Sequence, residues 1–470
     1  MKTKIILLLI LFGGVLASSC GDFLSETPST SLPPDEAITG ISDLKYAING
    51  VMAYAIRYEY YGGDFIAYGD LKGSDMYSIG TSNQISPVGR YNHDQYSSFS
   101  FNFYSVGYIM LAQINALLDK IPGLPDGNDR KELEGELYAL RGLVHFDLAR
   151  LFAQLPSVAA DSSAPDSGIP IADRVFPVDH KPVRSTLAET YNQVINDLTK
   201  AIELLSPDKK VNGRINYWAA KALRAKVYLY LEKNSDALAD ADEVITGSSY
   251  TLLKRAEYVG SWAKEGASET LFEFLTTDLY NAQRNSIGYY CAAEGYGEVA
   301  VRDTFRTLID TTTDVRAELI RYEKASSNAG YYPKKYPGRA GSSVPLYANN
   351  PKVIRLSEVY LIAAEAAAKG ATGAHTAEYY VNTLLAERIS GYTDVSSVTV
   401  DDILLERRKE LFAEGQMCWD AWRNGKSVDN NATNAAKEGK VAPTHPFCIL
   451  PFPQSEIDIS PGLKQNPGYN

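Results

Sequence analysis

The stretch "WAAKALRAKVYLYLEKNSDALADADEVI", residues 218–245, decides the fold. Its apolar residues recur every three or four positions, the period of helices that bury one face. Ala225, Tyr228, Ala237 and Ala241 fall at the spacing of tetratricopeptide repeats. In such repeats small residues let paired helices approach closely, and the aromatic fills the hole between pairs. A looser copy is "VYLIAAEAAAKGATGAHTAEYYVNTLLAERI", residues 359–389, which turns at Gly370 and Gly373. An alanine-rich helical hairpin without repeat ancestry gives the same pattern.

Working outward, the same spacing predicts helices over residues 43–56, 104–121, 129–155, 186–205, 217–232, 236–245, 353–369 and 376–389. Pro122 ends the second. Asp129 is expected to cap the third, with Glu132 three residues on, and Leu155-Pro156 stops it. Residues 157–184 carry four prolines and read as loop. The fold class expected is mainly α: tetratricopeptide-like helical pairs form a scaffold over residues 104–156, 186–246 and 351–425. Residues 58–103 and 250–349 are rich in Gly, Ser, Asn and Tyr, have weak periodicity, and form a loop-rich half packed on that scaffold.

The N-terminus reads as an export signal. Lys2 and Lys4 precede an apolar run over residues 5–16, too short to span a membrane. Small residues Ala17, Ser18 and Ser19 then lead directly into Cys20. That junction resembles the lipobox of bacterial lipoproteins, with Ala17 where leucine is usual. An ordinary signal cut near Ser19 is the alternative. Residues 1–19 are thus expected to be a signal peptide, Cys20 a lipidation site, residues 20–34 a Ser/Thr/Pro-rich spacer, and residues 35–470 one domain. Three further cysteines, Cys291, Cys418 and Cys448, have no metal-site spacing. A Cys418–Cys448 disulfide is one option that export would permit.

The formal net charge of −11 argues against nucleic acid as a partner, since an acidic surface repels phosphates. No metalloprotease His-Glu-x-x-His, P-loop or Gly-x-Ser-x-Gly elbow is present. The five histidines are scattered, and mid-helix His145 reads as packed and hydrogen-bonded. "ERRKELFAEGQMCWDAWRNGK", residues 406–426, is dense in charge and reads as a helix with ion pairs on its wet face, Leu411, Trp419 and Trp422 pointing inward. No cofactor and no enzymatic activity are expected, although a paired-carboxylate glycosidase stays open among so many acidic residues.

Tyrosine is the outlier, at 32 residues against four tryptophans. It clusters in "RYNHDQY" (residues 90–96), "IGYYCAAEGYGE" (287–298) and "GYYPKKYPG" (330–338). A tyrosine ring joins a flat apolar face to a hydroxyl rim and so suits sugars, or peptides as in antibody loops. Most of these rings are expected simply to pack the irregular half.

Five stretches resemble the SusD/RagB lipoproteins of Bacteroidetes. They are "SSCGDFLSETP" at the mature N-terminus, "ELYALRGLVHFDLARLFAQLP" (136–156), "RLSEVYLIAAEAAAKG" with "YYVNTLLAERISG" (355–391), "ERRKELFAEGQMCWDAWR" (406–423) and "LPFPQSEIDISPGLKQNPGY" (450–469). Gln416-Met417 departs from the basic residues usual there. The resemblance implies an outer-membrane, cell-surface lipoprotein that caps a TonB-dependent SusC-like transporter and binds oligosaccharide, or in some members peptide, without chemistry. It places the ligand site in the two irregular segments. The residues expected there are Arg90, Tyr91, Asn92, Tyr96, Tyr289, Tyr290 and Tyr296, rings stacking on sugar faces while Arg90 and Asn92 bond hydroxyls or an acidic group.

Overall fold

A computed structural model describes residues 37–324, 327–429 and 439–469. Cys20 and the spacer up to residue 34 lie outside the described residues. The helices that carry the fold are α1 (Ile41–Ala55), α2 (Asp64–Leu71), α3 (Ser98–Lys120), α4 (Asn128–Phe152), α5 (Leu187–Leu204), α6 (Tyr217–Tyr230), α7 (Asn234–Gly247), α8 (Leu356–Ala368), α9 (Ala377–Ala386), α10 (Val400–Leu411) and α11 (Met417–Arg423). From α4 to α9 each helix packs on the next, which is the expected stack of pairs. Ala225, Ala237 and Ala241 are buried at the α6–α7 contact. Between α4 and α5, a Cβ on Gly135 or Gly142 would meet Leu205 at 2.8 Å or Leu198 at 3.1 Å, so glycine permits that close approach. Among the described residues no helix is long and apolar enough to cross a membrane.

Local chemistry accounts for several boundaries. Thr186 and Glu189 form a reciprocal capping box at α5 (Glu189 N to Thr186 Oγ1 3.1 Å, Thr186 N to Glu189 Oε2 2.8 Å), worth about 1 kcal/mol. The expected Asp129 cap is not used: α4 begins at Asn128 after Gly127 with no side-chain cap, and Glu132 instead accepts from Ser206 N at 2.8 Å. The helix expected from residue 353 starts at Leu356. Lys352–Arg355 form strand β6, antiparallel to β2 (Thr270–Glu273), because Lys352 and Arg355 reach across to Glu273 (3.0 Å) and Glu269 (2.5 Å). Residues 58–103 are less irregular than expected, since they contain α2, which is buried at every position. The remaining strands also pair in twos: β1 (Met76–Tyr77) with β3 (Ala300–Val301), β4 (Ile320–Glu323) with β5 (Gly330–Pro333), and β7 (Val428–Asp429) with β8 (Lys440–Val441).

The charge-dense segment overturns its sequence reading. It is two helices, α10 and α11, separated by a turn in which Ala413 and Gly415 have φ of 59° and 70°. Glu406, Arg407, Glu410, Asp420 and Arg423 face inward, not to water. The Glu410 carboxylate is fully buried and accepts from Arg388 (3.0 and 3.1 Å), Arg355 (3.0 Å) and Arg316 (3.4 Å). In a second network Arg423 holds Glu365 at 2.5 and 2.6 Å, and Arg407 holds Asp420 at 2.8 Å. Gln416, the departure from the family pattern, fits here by accepting from Lys226 Nζ at 2.9 Å. Trp419 and Trp422 are inward as expected. Trp419 stacks on Tyr68 of α2 at 5.6 Å and lies under the Arg150 guanidinium at 4.3 Å, so the C-terminal quarter closes onto α2. Cys291, Cys418 and Cys448 are buried free thiols, so the optional disulfide is not formed. His145 is packed: Nδ1 faces Arg141 O at 3.1 Å, Nε2 accepts from Ala172 N at 3.1 Å, and burial pushes its pKa down to about 3.

Candidate functional site

Helix α2 is the floor on which the mid-chain tyrosines are assembled. Gly62 and Gly63 precede it, and a Cβ on Gly63 would lie 2.2 Å from Asn285 O, so only glycine lets the 283–290 segment come this close. Ile287 N donates to Gly62 O at 2.8 Å, and the Tyr290 hydroxyl donates to Asp64 Oδ1 at 2.9 Å. Burial raises the Asp64 carboxyl well above its usual range, against the lowering effect of that hydrogen bond. A one-turn helix, Ile287–Tyr290, is capped by Ser286, whose hydroxyl also donates to Leu346 O at 2.6 Å. That bond draws residues 346–347 alongside.

Three half-buried rings result. Tyr289 and Tyr296 meet at 4.9 Å and 89°, and Tyr289 and Tyr347 at 5.6 Å and 51°. The backbone locks the first pair, as Tyr296 N donates to Tyr289 O at 3.0 Å. A Cβ on Gly295 would stand 2.1 Å from that same oxygen. Arg284 is exposed on the preceding turn, and the Tyr347 phenol, with those of Tyr289 and Tyr296, raises its pKa.

A second loop forms the border. Strands β1 and β3 pair, and Ile79 N and Gly80 N both donate to Gly297 O. The fully buried Glu298 carboxylate gathers the 82–86 turn by accepting from Ser82 Oγ, Gln84 N (2.6 Å), Ile85 N (2.6 Å) and Ser86 N (2.9 Å). Asn328, near the β4–β5 turn, donates toward Gly295 O and Tyr296 O at 3.4 and 3.5 Å. The platform is thus held by hydrogen bonds from three segments, to the Tyr289, Gly297 and Gly295 carbonyls.

Of the seven residues expected at a site, the structure brings Tyr289 and Tyr296 together at a surface. Arg90 is half-buried on the bordering loop, its Nη1 3.4 Å from Asn83 Oδ1. Tyr290 and Tyr91 are packed inside, each 1% exposed, which removes both rings from a ligand's reach. Tyr91 donates to Lys72 O at 2.7 Å and lies under the Lys72 ammonium at 4.6 Å. Asn92 and Tyr96 are exposed but belong to a segment fastened to the C-terminal residues through Gln454 N to Gln95 O and Tyr469 to His93. Sequence reading missed Tyr347 and Arg284. Tyr347 is one ring in a loop, joined to the platform only by folding, and Arg284 stands just ahead of the tyrosine cluster with no motif to mark it.

A separate cleft of about 950 Å3 opens between α1, α4 and residues 205–216 and 274–280, and none of the platform tyrosines lines it. Two pairs of its charged groups already serve each other, Arg214 with Glu136 at 2.9 Å and Lys209 with Asp129 at 3.3 Å. The platform differs in presenting ring faces and an exposed guanidinium. Among the described residues no group of His, Cys, Asp and Glu is arranged to hold a metal ion.

Known proteins share this architecture. A family model for SusD-like proteins, described as starch-binding associating with outer membrane, matches residues 22–229, and the SusD family model matches residues 316–469. A SusD superfamily protein from Bacteroides vulgatus, solved by crystallography, is 31% identical over 92% of this chain and 100% of its own, with a TM-score of 0.85. SusD-like protein P2 of Formosa agariphila is 26% identical over 99% of both chains. A laminarin binding SusD-like protein, 23% identical, shares the fold with a TM-score of 0.72 over 90% of this chain and 99% of its own.

Proposed function

This chain belongs to the SusD family, and on that premise we propose that it captures oligosaccharide at the cell surface on the Tyr289–Tyr296–Tyr347 platform. It is held in the outer membrane by lipid on Cys20, and it passes the ligand to a TonB-dependent SusC-like transporter. The observation that carries this reading is the platform itself: three ring faces fixed at one surface beside an arginine. Sugar C–H faces stack on such rings while phenol and guanidinium edges bond hydroxyls. The starch-binding description of the matched family model and the laminarin binding of a relative with this fold support a glycan over a peptide.

Binding without turnover is the reading for this site. Two of its three carboxylates are engaged, Glu298 by its four donors and Glu323 by Lys334 and Ala293 N, which leaves exposed Glu294 without the second free carboxyl that hydrolysis requires. A hydrolase needs one carboxyl to give a proton and another to attack or to activate water. Isothermal titration against a panel of oligosaccharides and oligopeptides tests the proposal. Saturable binding of at least one glycan is expected. Binding of peptides alone would replace the ligand class, and hydrolysis of a bound glycan would overturn the binder reading.

A further inference from the structure

We propose that the glycan bound at this platform is anionic, a uronate or a sulfated sugar, and that Arg284 reads its negative charge. The inference rests on the platform being the glycan site and goes further by naming the ligand's charge. Arg284 is exposed on the short turn Gln283–Asn285, entered with Gln283 at φ 53°, immediately before the one-turn helix that carries Tyr289. It has no ion pair among the described residues. Most arginines of this protein do: Arg141 holds Asp197 at 2.6 Å, Arg224 holds Asp240 at 2.7 Å, and half-buried Arg306 holds Asp303 at 3.2 Å.

The carboxylate closest along the chain before Arg284 is Asp278, and it is consumed elsewhere. It accepts from Ser342 Oγ (2.6 Å), Ser343 N (2.9 Å) and Ser343 Oγ (2.6 Å). Those bonds order the 341–344 turn and leave Arg284 unneutralised. Arg90, on the bordering loop, likewise has no ion pair among the described residues, only its 3.4 Å approach to Asn83. Unpaired guanidiniums on an acidic protein at a ligand face suit a charged acceptor. A neutral hydroxyl is served equally by an amide, whereas carboxylate and sulfate match the two-pronged guanidinium fork. In a chain of net charge −11, a local cation is also what lets an anion approach at all.

Isothermal titration of the whole mature protein decides it, with length-matched maltotetraose, tetragalacturonate and a sulfated carrageenan tetrasaccharide at low and physiological salt. At least one anionic probe should bind tenfold or more tighter than maltotetraose, with the ratio shrinking as salt rises. The probe that wins separates carboxylate from sulfate. Arg284→Gln should bring the anionic-to-neutral ratio towards one, and Arg284→Lys should keep part of it, whereas Tyr289→Ala should weaken every probe that binds. Equal or tighter binding of maltotetraose, or an unchanged ratio in Arg284→Gln, overturns the charge assignment while leaving the platform in place. Binding of none of the three overturns both.

Discussion

Replacing Glu410 with glutamine should destabilise the protein by about 4 kcal/mol, although the substitution keeps the shape of the side chain. The carboxylate receives four hydrogen bonds from Arg388, Arg355 and Arg316, all between 3.0 and 3.4 Å, and is fully buried. Glutamine retains one acceptor oxygen and turns an NH2 group towards guanidiniums. Breaking a buried ion pair by removing one partner costs about 3–5 kcal/mol, and the amide's repulsive end argues for the middle of that range or above. An unfolding entropy of roughly 2.1 cal/mol/K per residue gives a chain of this size about 1 kcal/mol per degree, so Tm should fall by about 4 °C. Calorimetry at pH 7 reads this directly. The exposed pair Lys200–Glu203 (3.4 Å) supplies the control, and Glu203→Gln should move Tm by less than about 1 °C. The pH dependence has a definite sign. Burial raises the Glu410 pKa, but the three guanidiniums outweigh it and hold the group well below the usual carboxylate range. A depressed carboxylate stabilises above its unfolded pKa of about 4.3 and loses that contribution as pH falls through the folded value. The deficit of Glu410→Gln should therefore be complete at pH 7 and shrink in acid. A Tm within about 1 °C of wild type at pH 7 would refute the reasoning.

Lys72 is fully buried with the Phe447 carbonyl and the rings of Tyr68 and Tyr91 around it, and burial pushes its pKa down to about 7. The native state then sheds a proton that the unfolded chain keeps, so stability should rise between pH 7 and about 10; Lys72→Met should be more stable at pH 7 with an advantage that shrinks towards pH 10, as urea unfolding would show. Gly295→Ala must move the Tyr289 carbonyl, 2.1 Å from the new Cβ, and so part Tyr289 from Tyr296. It should weaken glycan binding several-fold by titration while the circular dichroism spectrum stays helical. Cys20→Ala should leave a folded, ligand-binding protein in the soluble fraction, and a variant that remains in the membrane pellet contradicts lipid anchoring at that residue.

Helical pairs were legible because their signal is local. Leu187, Val194, Leu198 and Ala201 repeat along one buried face of α5, and Thr186 and Glu189 announce its start. The charged segment was misread because its partners are far away in sequence. Glu410 looks solvated until Glu269, Arg316, Arg355 and Arg388 arrive from four other segments. The site was half legible for the same reason. Composition marked the tyrosine-rich loops, but not which rings face inward: Tyr290 spends its hydroxyl on Asp64, and Tyr91 on Lys72 O. Nor could it foresee that one Ser286 hydroxyl would bring Tyr347 to Tyr289.

The central claim is that the platform tyrosines bind the glycan. Isothermal titration of Tyr289→Ala and Tyr347→Ala, with buried Tyr91→Phe as the control, tests it most directly. Each platform truncation should cost about 1.4–2 kcal/mol, roughly ten- to thirty-fold in Kd, while Tyr91→Phe binds as wild type. Wild-type affinity in both alanine variants would contradict the account.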